Sequence, residues 1–179
     1  MRSAPEIPVL STERLILRGH RLDDFQSCAS LWNDINVTHF ITGKASTPAE
    51  SWSRLLRYAG HWALLGYGFW AVEERATGRF VGDVGLADFK RDIRPDFGGA
   101  PEVGWVLATW AHGKGYATEA VTAALHWSTT NRRTQRHVCM IDPENAASRR
   151  VAEKCGFAPF AETTYLESAV VLMERLGEA

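Results

Sequence analysis

The chain has 179 residues, 45% of them hydrophobic and 23% charged, with a formal net charge of −1. That length fits one domain with a sizeable buried core, and the near-zero charge gives no electrostatic footprint for nucleic acid or an acidic membrane surface. No apolar run is long enough to span a bilayer, and the amino-terminal MRSAPEIPVL lacks the apolar centre of a signal peptide. The three cysteines, Cys28, Cys139 and Cys155, show no C-x-x-C spacing. An odd count predicts buried, reduced thiols and a cytoplasmic location rather than a disulfide framework.

Residues 14–18 (RLILR) alternate and predict a strand. Leu22, Phe25, Ala29 and Trp32 follow at helical spacing and predict a helix of about three turns. A polar and aromatic stretch, VTHFITGKAS, leads to a second helix. Thr47 is its expected N-cap, Pro48 its first position, and Glu50 closes a capping box. Trp52, Leu55, Leu56, Ala59 and Ala63 form its predicted apolar stripe, and Gly66 its stop. GYGFWAVEE and GRFVGDVGLADF read as two strands joined by the turn ATG. KRDIRPDFGGAP reads as a loop and PEVGWVLA as a further strand. A helix over residues 115–131 follows, with Ala120, Ala123, Ala124 and Trp127 as its sheet-facing side. Next come a short buried strand (RHVCMI), a helix in NAASRRVAEKCGF closed by Gly156, and two last strands. This order predicts a mixed α/β (α+β) domain occupying residues 1–179, with helices packed on a central sheet.

The stretch AHGKGYATEAV places Gly113 and Gly115 just ahead of a helix. It is not a Walker A loop, which needs an upstream glycine and a Ser or Thr after the lysine. It is not a dinucleotide fingerprint either, because Thr118 stands at the third glycine position. A glycine turn that opens a helix still presents free amides to an anion, and successive amides can form a nest around phosphate oxygens. The alternative is a turn that needs glycine only for its dihedral angles.

His112-Gly113-Lys114-Gly115-Tyr116-Ala117 resembles the R/Q-x-x-G-x-G/A acetyl-CoA loop of the GNAT superfamily of N-acetyltransferases. EVGWVLATWAHGKGYATEAV followed by DPENAASRRVAEKCGF resembles its RimJ/RimL branch, as do GYGFWAVEERATGRFVGDVGL and the opening TERLILR. The resemblance runs in matching order from about residue 12 to 175. It implies a mostly antiparallel sheet of six to seven strands, splayed between the fourth and fifth, with about four flanking helices. It also implies that backbone groups of Val106 and Leu107 pair with the pantetheine arm of acetyl-CoA. The amides of Gly113, Lys114, Gly115, Tyr116, Ala117 and Thr118 would then cradle the pyrophosphate. His112 departs from the family, standing where Arg or Gln is usual.

Acetyl transfer to an amine needs a neutral amine, a positioned acyl donor and a proton for the leaving thiolate. A model α-amino group near pKa 8 is roughly one-tenth neutral at pH 7, whereas a lysine-type amine near 10.4 is almost wholly charged. The latter needs a stronger base, and one acting through a water serves either. Glu102, opening the fourth strand, is the expected base. Asp83 is a second acidic candidate, with a solvated or turn-associated role as its plainer reading. The tyrosine that many GNAT enzymes place in the helix before the final G-F falls on Ala152, so that acid is absent. The resemblance instead assigns Asn145 to the cofactor arm, with N-capping as a compatible role, and Ser148 to the thiol sulfur. Lys114, Arg149, Arg150 and Lys154 are candidate phosphate contacts. Trp52 and Trp127 are expected in the core. By resemblance Trp32, Trp70 and Trp105 lie toward the acceptor side, with core packing as their plainer reading and one of them as a candidate pocket wall; His39, Phe40 and the loop 90–101 belong to the same side. His20, His61, His126 and His137 show no ligand spacing, so no metal is expected.

The resulting expectation is direct acetyl transfer from acetyl-CoA to a primary amine, either a protein N-terminus or a small molecule, by a monomer or homodimer. A non-catalytic acyl-CoA-binding or sensor module on the same fold is the alternative, and an ATP-binding protein using the glycine loop is a third reading.

Overall fold

A computed structural model of the protein describes residues 6–177 and contains one eight-stranded sheet. Strands β1 (Leu10–Ser11), β2 (Leu15–Arg18), β3 (Phe69–Glu74), β4 (Phe80–Ala87) and β5 (Glu102–Leu107) pair antiparallel in that order. Strands β6 (Arg136–Ile141), β8 (Ser168–Leu176) and β7 (Ala158–Tyr165) form a second antiparallel set. The two sets meet through a parallel contact in which Glu102 lies opposite Val138. No pairing continues toward Leu107 and Ile141, so β5 and β6 splay apart. These are the fourth and fifth strands expected from the sequence. The additional strand is β1, whose two residues are too short to show an alternation.

Five helices flank the sheet: α1 (Phe25–Asn33), α2 (Ile35–Thr38), α3 (Pro48–Leu65), α4 (Tyr116–Arg132) and α5 (Ala146–Lys154). The unexpected one is α2, a single turn capped by Asp34, whose carboxylate accepts from the Asn36 amide at 2.9 Å. The predicted capping box of α3 is present, with Thr47 Oγ1 accepting from the Glu50 amide and Glu50 accepting from the Thr47 amide. Among the described residues no helix is long and apolar enough to cross a membrane.

Two faces of the sheet divide the molecule, because side chains alternate along each strand. Trp70, Val72, Val84, Leu86, Val103 and Cys139 point toward α4 and share one core with its Ala120, Val121, Ala124 and Leu125. The opposite face carries Phe69, Asp83 and Val106 toward α1 and α3.

The rotation of α3 differs from the apolar stripe expected from its sequence. The helix buries Ser51, Leu55, Tyr58, His61 and Trp62, while Trp52 and Leu56 are 39% and 49% exposed. Tyr58 stacks on Phe69 with ring centroids 4.6 Å apart, and the Trp62 indole donates to the Phe69 carbonyl at 2.9 Å. These specific partners set the helix rotation, which a stripe drawn through Trp52 misses. In the first helical segment Leu22 is 74% exposed in a 3₁₀ turn, and Cys28, Leu31 and Trp32 supply the buried side of α1.

Candidate active site

The splay leaves one edge of β5 facing an open cleft. In an antiparallel ladder, alternate residues direct both backbone groups to the same neighbour. The Ala108 amide donates to the Val81 carbonyl at 2.8 Å, which turns Ala108, Val106 and Gly104 toward β4. The Val138 amide donates to the Pro101 carbonyl at 3.2 Å, which turns Pro101, Val103, Trp105 and Leu107 toward β6. The expected pairing of Leu107 with a ligand in the cleft is therefore compatible with the ladder. That of Val106 is corrected: its amide and carbonyl serve β4 opposite Asp83, and Trp105 takes its place on the cleft edge. The Leu107 carbonyl is already occupied, 2.8 Å from His112 Nε2. With the carbonyl accepting, Nε2 carries the proton, so His112 ties the loop to the end of β5.

Below the cleft the chain makes a 3₁₀ turn over Thr109–Ala111 and then the glycine loop. Gly113 and Gly115 have φ values of +73° and +80°, a region costly for residues with a Cβ. No side chain caps α4, and among the described residues no carbonyl or side chain accepts from the amides of 113–118. Residues 112–115 are exposed. The loop is held from behind: Arg14 donates to the Lys114 carbonyl at 2.8 Å and pairs with Glu119 at 2.6 Å. Lys114 Nζ lies 4.6 Å from the centroid of the Trp110 ring. The Tyr116 hydroxyl donates to Glu74 at 2.6 Å, so its ring faces inward and only its amide faces the loop. Outward-facing amides at a helix N-terminus, with the helix dipole behind them, suit a phosphate group.

Across the splay, α5 begins after β6. Asn145 is its N-cap and accepts from the Ser148 amide at 3.0 Å. The cap uses Oδ1 and leaves the Asn145 amide nitrogen free for another contact. The Ser148 side chain sits half-buried in the first turn. Ala152, where many GNAT enzymes carry the tyrosine, is fully buried in the core.

The two acidic candidates differ sharply in setting. Glu102 is only 7% exposed and is held bidentate by Arg91, with bonds of 2.6 and 2.8 Å. Arg91 belongs to the loop between β4 and β5 and also lies over Phe89 and Tyr165, with 4.8 and 5.0 Å to the ring centroids. Burial alone would lower the Arg91 guanidinium, but the bonds and charge of Glu102 outweigh it and raise it. The same loop encloses a cavity of about 160 Å³ bounded by Glu102, Phe89, Asp88 and Phe97. Asp83 is neither solvated nor at a turn: it is 0% exposed in the middle of β4. One oxygen lies 2.8 Å from His20 Nε2 and the other accepts from the Trp32 indole at 3.0 Å. The Cys28 sulfur lies 3.9 Å from Asp83, and burial, the largest cause, pushes that thiol well up. His20, Cys28 and Asp83 offer ligand atoms within 4.8 Å of one another, a donor set able to hold an ion. No sequence spacing signals it, because its members come from three separate segments. Trp32 packs on Val106, so this buried network supports the cleft edge from beneath.

The acetyltransferase (GNAT) domain family model matches residues 14–158. The chain belongs to this family. YkkB of Bacillus subtilis is 37% identical over 93 residues, a match spanning 51% of this chain and about half (52%) of that protein's length. The uncharacterized N-acetyltransferase p20 of Bacillus licheniformis is 25% identical over 149 residues, covering 83% of this chain and 81% of that one. A GnaT-family acetyltransferase structure from Bordetella pertussis superposes with a TM-score of 0.83 at 28% identity, covering 94% of this chain and 99% of that one. The spermidine N-acetyltransferase of Vibrio cholerae, solved with CoA and spermine, superposes with a TM-score of 0.73 at 22% identity, covering 92% of this chain and 96% of that one. The GNAT fold with its splayed sheet, and acetyl transfer to an amine as a class of chemistry, thus hold for this chain.

Proposed function

We propose that the protein transfers an acetyl group from acetyl-CoA directly to the primary amine of a small molecule or a protein N-terminus. The unpartnered amides of 113–118, facing outward beneath an open β5–β6 splay, carry this reading. They suit the pyrophosphate, and the cleft-edge groups of Trp105 and Leu107 suit the amides of the pantetheine arm. Asn145 offers its side-chain nitrogen to the same arm. That the Vibrio cholerae enzyme of the same fold was solved with CoA supports the choice of co-substrate.

In the transfer the amine nitrogen attacks the thioester carbonyl carbon, the C–N bond forms and the C–S bond breaks. Glu102 takes the amine's proton through a water in the adjoining cavity, because Arg91 already occupies its two oxygens in the plane. Ser148 gives its hydroxyl proton to the departing sulfur and recovers one from solvent. No cysteine intermediate is used, since Cys28, Cys139 and Cys155 are all buried.

Thiol release from acetyl-CoA over a panel of N-terminal peptides and small amines tests the reading. Glu102→Gln is expected to lower turnover by at least about a hundred-fold, the usual worth of a general base. Ser148→Ala should lower it about ten-fold or more, and both variants should bind CoA as the wild type does. Unchanged turnover removes the altered residue from the mechanism. No turnover with any amine removes the catalytic reading.

A further inference from the structure

The face of the sheet that carries Glu102 is bordered by α3, and α3 brings two arginines to it. Arg54 and Arg57 are one turn apart, so they share a side of the helix. The Arg54 guanidinium lies 3.6 Å from the centroid of the Trp32 ring, and that of Arg57 lies 5.0 Å from the Phe89 ring. Arg91, on the other side of Phe89, is 4.8 Å from it. The three cations follow a row of contacts from Trp32, which packs with Val106 of β5, through Phe89 to the Arg91–Glu102 pair.

Only Arg91 has a carboxylate partner. Among the described residues neither Arg54 nor Arg57 makes an ion pair, and the polar contact of Arg54 is a long one, 3.5 Å to Ser46 Oγ. Both arginines, with Ser53 and Glu50, line a shallow open depression along the side of α3. Glu50 is already committed to Lys44 and to the Thr47 amide. Three further acids of this face are taken: Asp88 by Lys90, Glu102 by Arg91, and Asp83 by His20 and Trp32. Arg54 is half-buried, and that burial holds its guanidinium below the ordinary range. A cation taken partly out of water calls for an anion, and arginine is suited to a planar carboxylate held by paired bonds.

We propose that the acceptor carries a carboxylate besides its amine, and that Arg54, assisted by Arg57, binds that carboxylate while the amine reaches toward Glu102. This rests on the acetyltransferase reading above and names its substrate class. The same row of cations disfavours polyamines, whose second ammonium would meet guanidinium groups.

The test compares the common amino acids with their α-carboxamides, and with spermidine, as acceptors. The ratio of kcat/KM for an amino acid over its amide, measured at one pH, is expected to fall by at least about ten-fold from wild type to Arg54→Gln, the worth of a charged hydrogen bond. Arg54→Lys should fall between, and Arg57→Gln should shift the ratio less. A direct readout accompanies it: phenylglyoxal labelling of Arg54, mapped by mass spectrometry with CoA present, should be slowed by the amino acid and not by its amide. Protection without turnover would retain the carboxylate site and reject the transfer reading. An acid-to-amide ratio unchanged by Arg54→Gln, preference for spermidine, or no protection together with no turnover would overturn the proposal.

Discussion

Gly115→Val separates a phosphate nest from a turn that is merely tight. Gly115 has φ +80° at the mouth of α4, and a Cβ there would meet only the Arg14 guanidinium, at 3.4 Å. That contact is ordinary, so the obstacle is conformational. A left-handed residue with a Cβ costs roughly 1–2 kcal/mol, and a β-branched one is a genuine outlier there. Valine therefore forces the peptide units on either side to turn, and the adjacent amides leave their common focus. Each hydrogen bond to a charged group is worth about 1.5–3 kcal/mol, so losing one weakens CoA binding by about ten-fold or more. Pantetheine lacks the pyrophosphate and reaches only the β5 edge, so its affinity should stay within about two-fold on the same reasoning. Calorimetric titration of both ligands into both proteins, with urea unfolding to record the fold's own loss, gives the answer. Unchanged CoA affinity, or an equal loss for pantetheine, would refute the nest.

Two further outcomes concern the supports of the site. Burial first, and the Arg175 charge second, hold the His137 imidazole down at about 4, against its ordinary 6.5. The unfolded chain then binds the extra proton between these values. The contribution of His137 is complete above about pH 6.5 and declines toward pH 4, by about 3 kcal/mol in all. The stability gap between wild type and His137→Gln should narrow over that range in urea titrations, and a constant gap would contradict the buried neutral ring. Asp83→Ala strands the Trp32 indole and His20 Nε2 away from water at about 1–3 kcal/mol each. Its double-mutant cycle with Trp32→Phe should show coupling above about 0.5 kcal/mol, and strictly additive losses would mean that the bond contributes nothing.

Local signals carried most of the fold. The capping box at Thr47 and Glu50, the glycines at 113 and 115, and Asn145 before α5 each announce an element boundary through chemistry confined to a few residues. What stayed hidden depends on partners distant in sequence. The rotation of α3 follows from Phe69, which lies beyond the helix and receives Tyr58 and Trp62. The resemblance places Val106 on the cleft edge, but the sequence does not say which neighbour its backbone serves. The Ala108–Val81 bond decides that. Arg14, which holds the glycine loop through Lys114 and Glu119, stands about a hundred residues away and reads from sequence as an ordinary strand residue.

The same distinction decides between the two carboxylates. Asp83 and Glu102 both lie in the strands below α1 and α3, and by residue type either is a base. Asp83 has no exposed surface and both of its oxygens are engaged by side chains from the first 32 residues. A proton bound there would have to pass through the packing of Trp32 on Val106 and would break the bonds that position that indole. Glu102 is also engaged, but by a single guanidinium carried on a loop, and it borders a cavity with room for a water. Arg91 thus fixes the orientation of the carboxylate without sealing it from solvent. A base must combine these two properties, and Asp83 has only the first. On the proposed reaction, Asp83 therefore holds Trp32 and β5 in place, and Glu102 takes the proton.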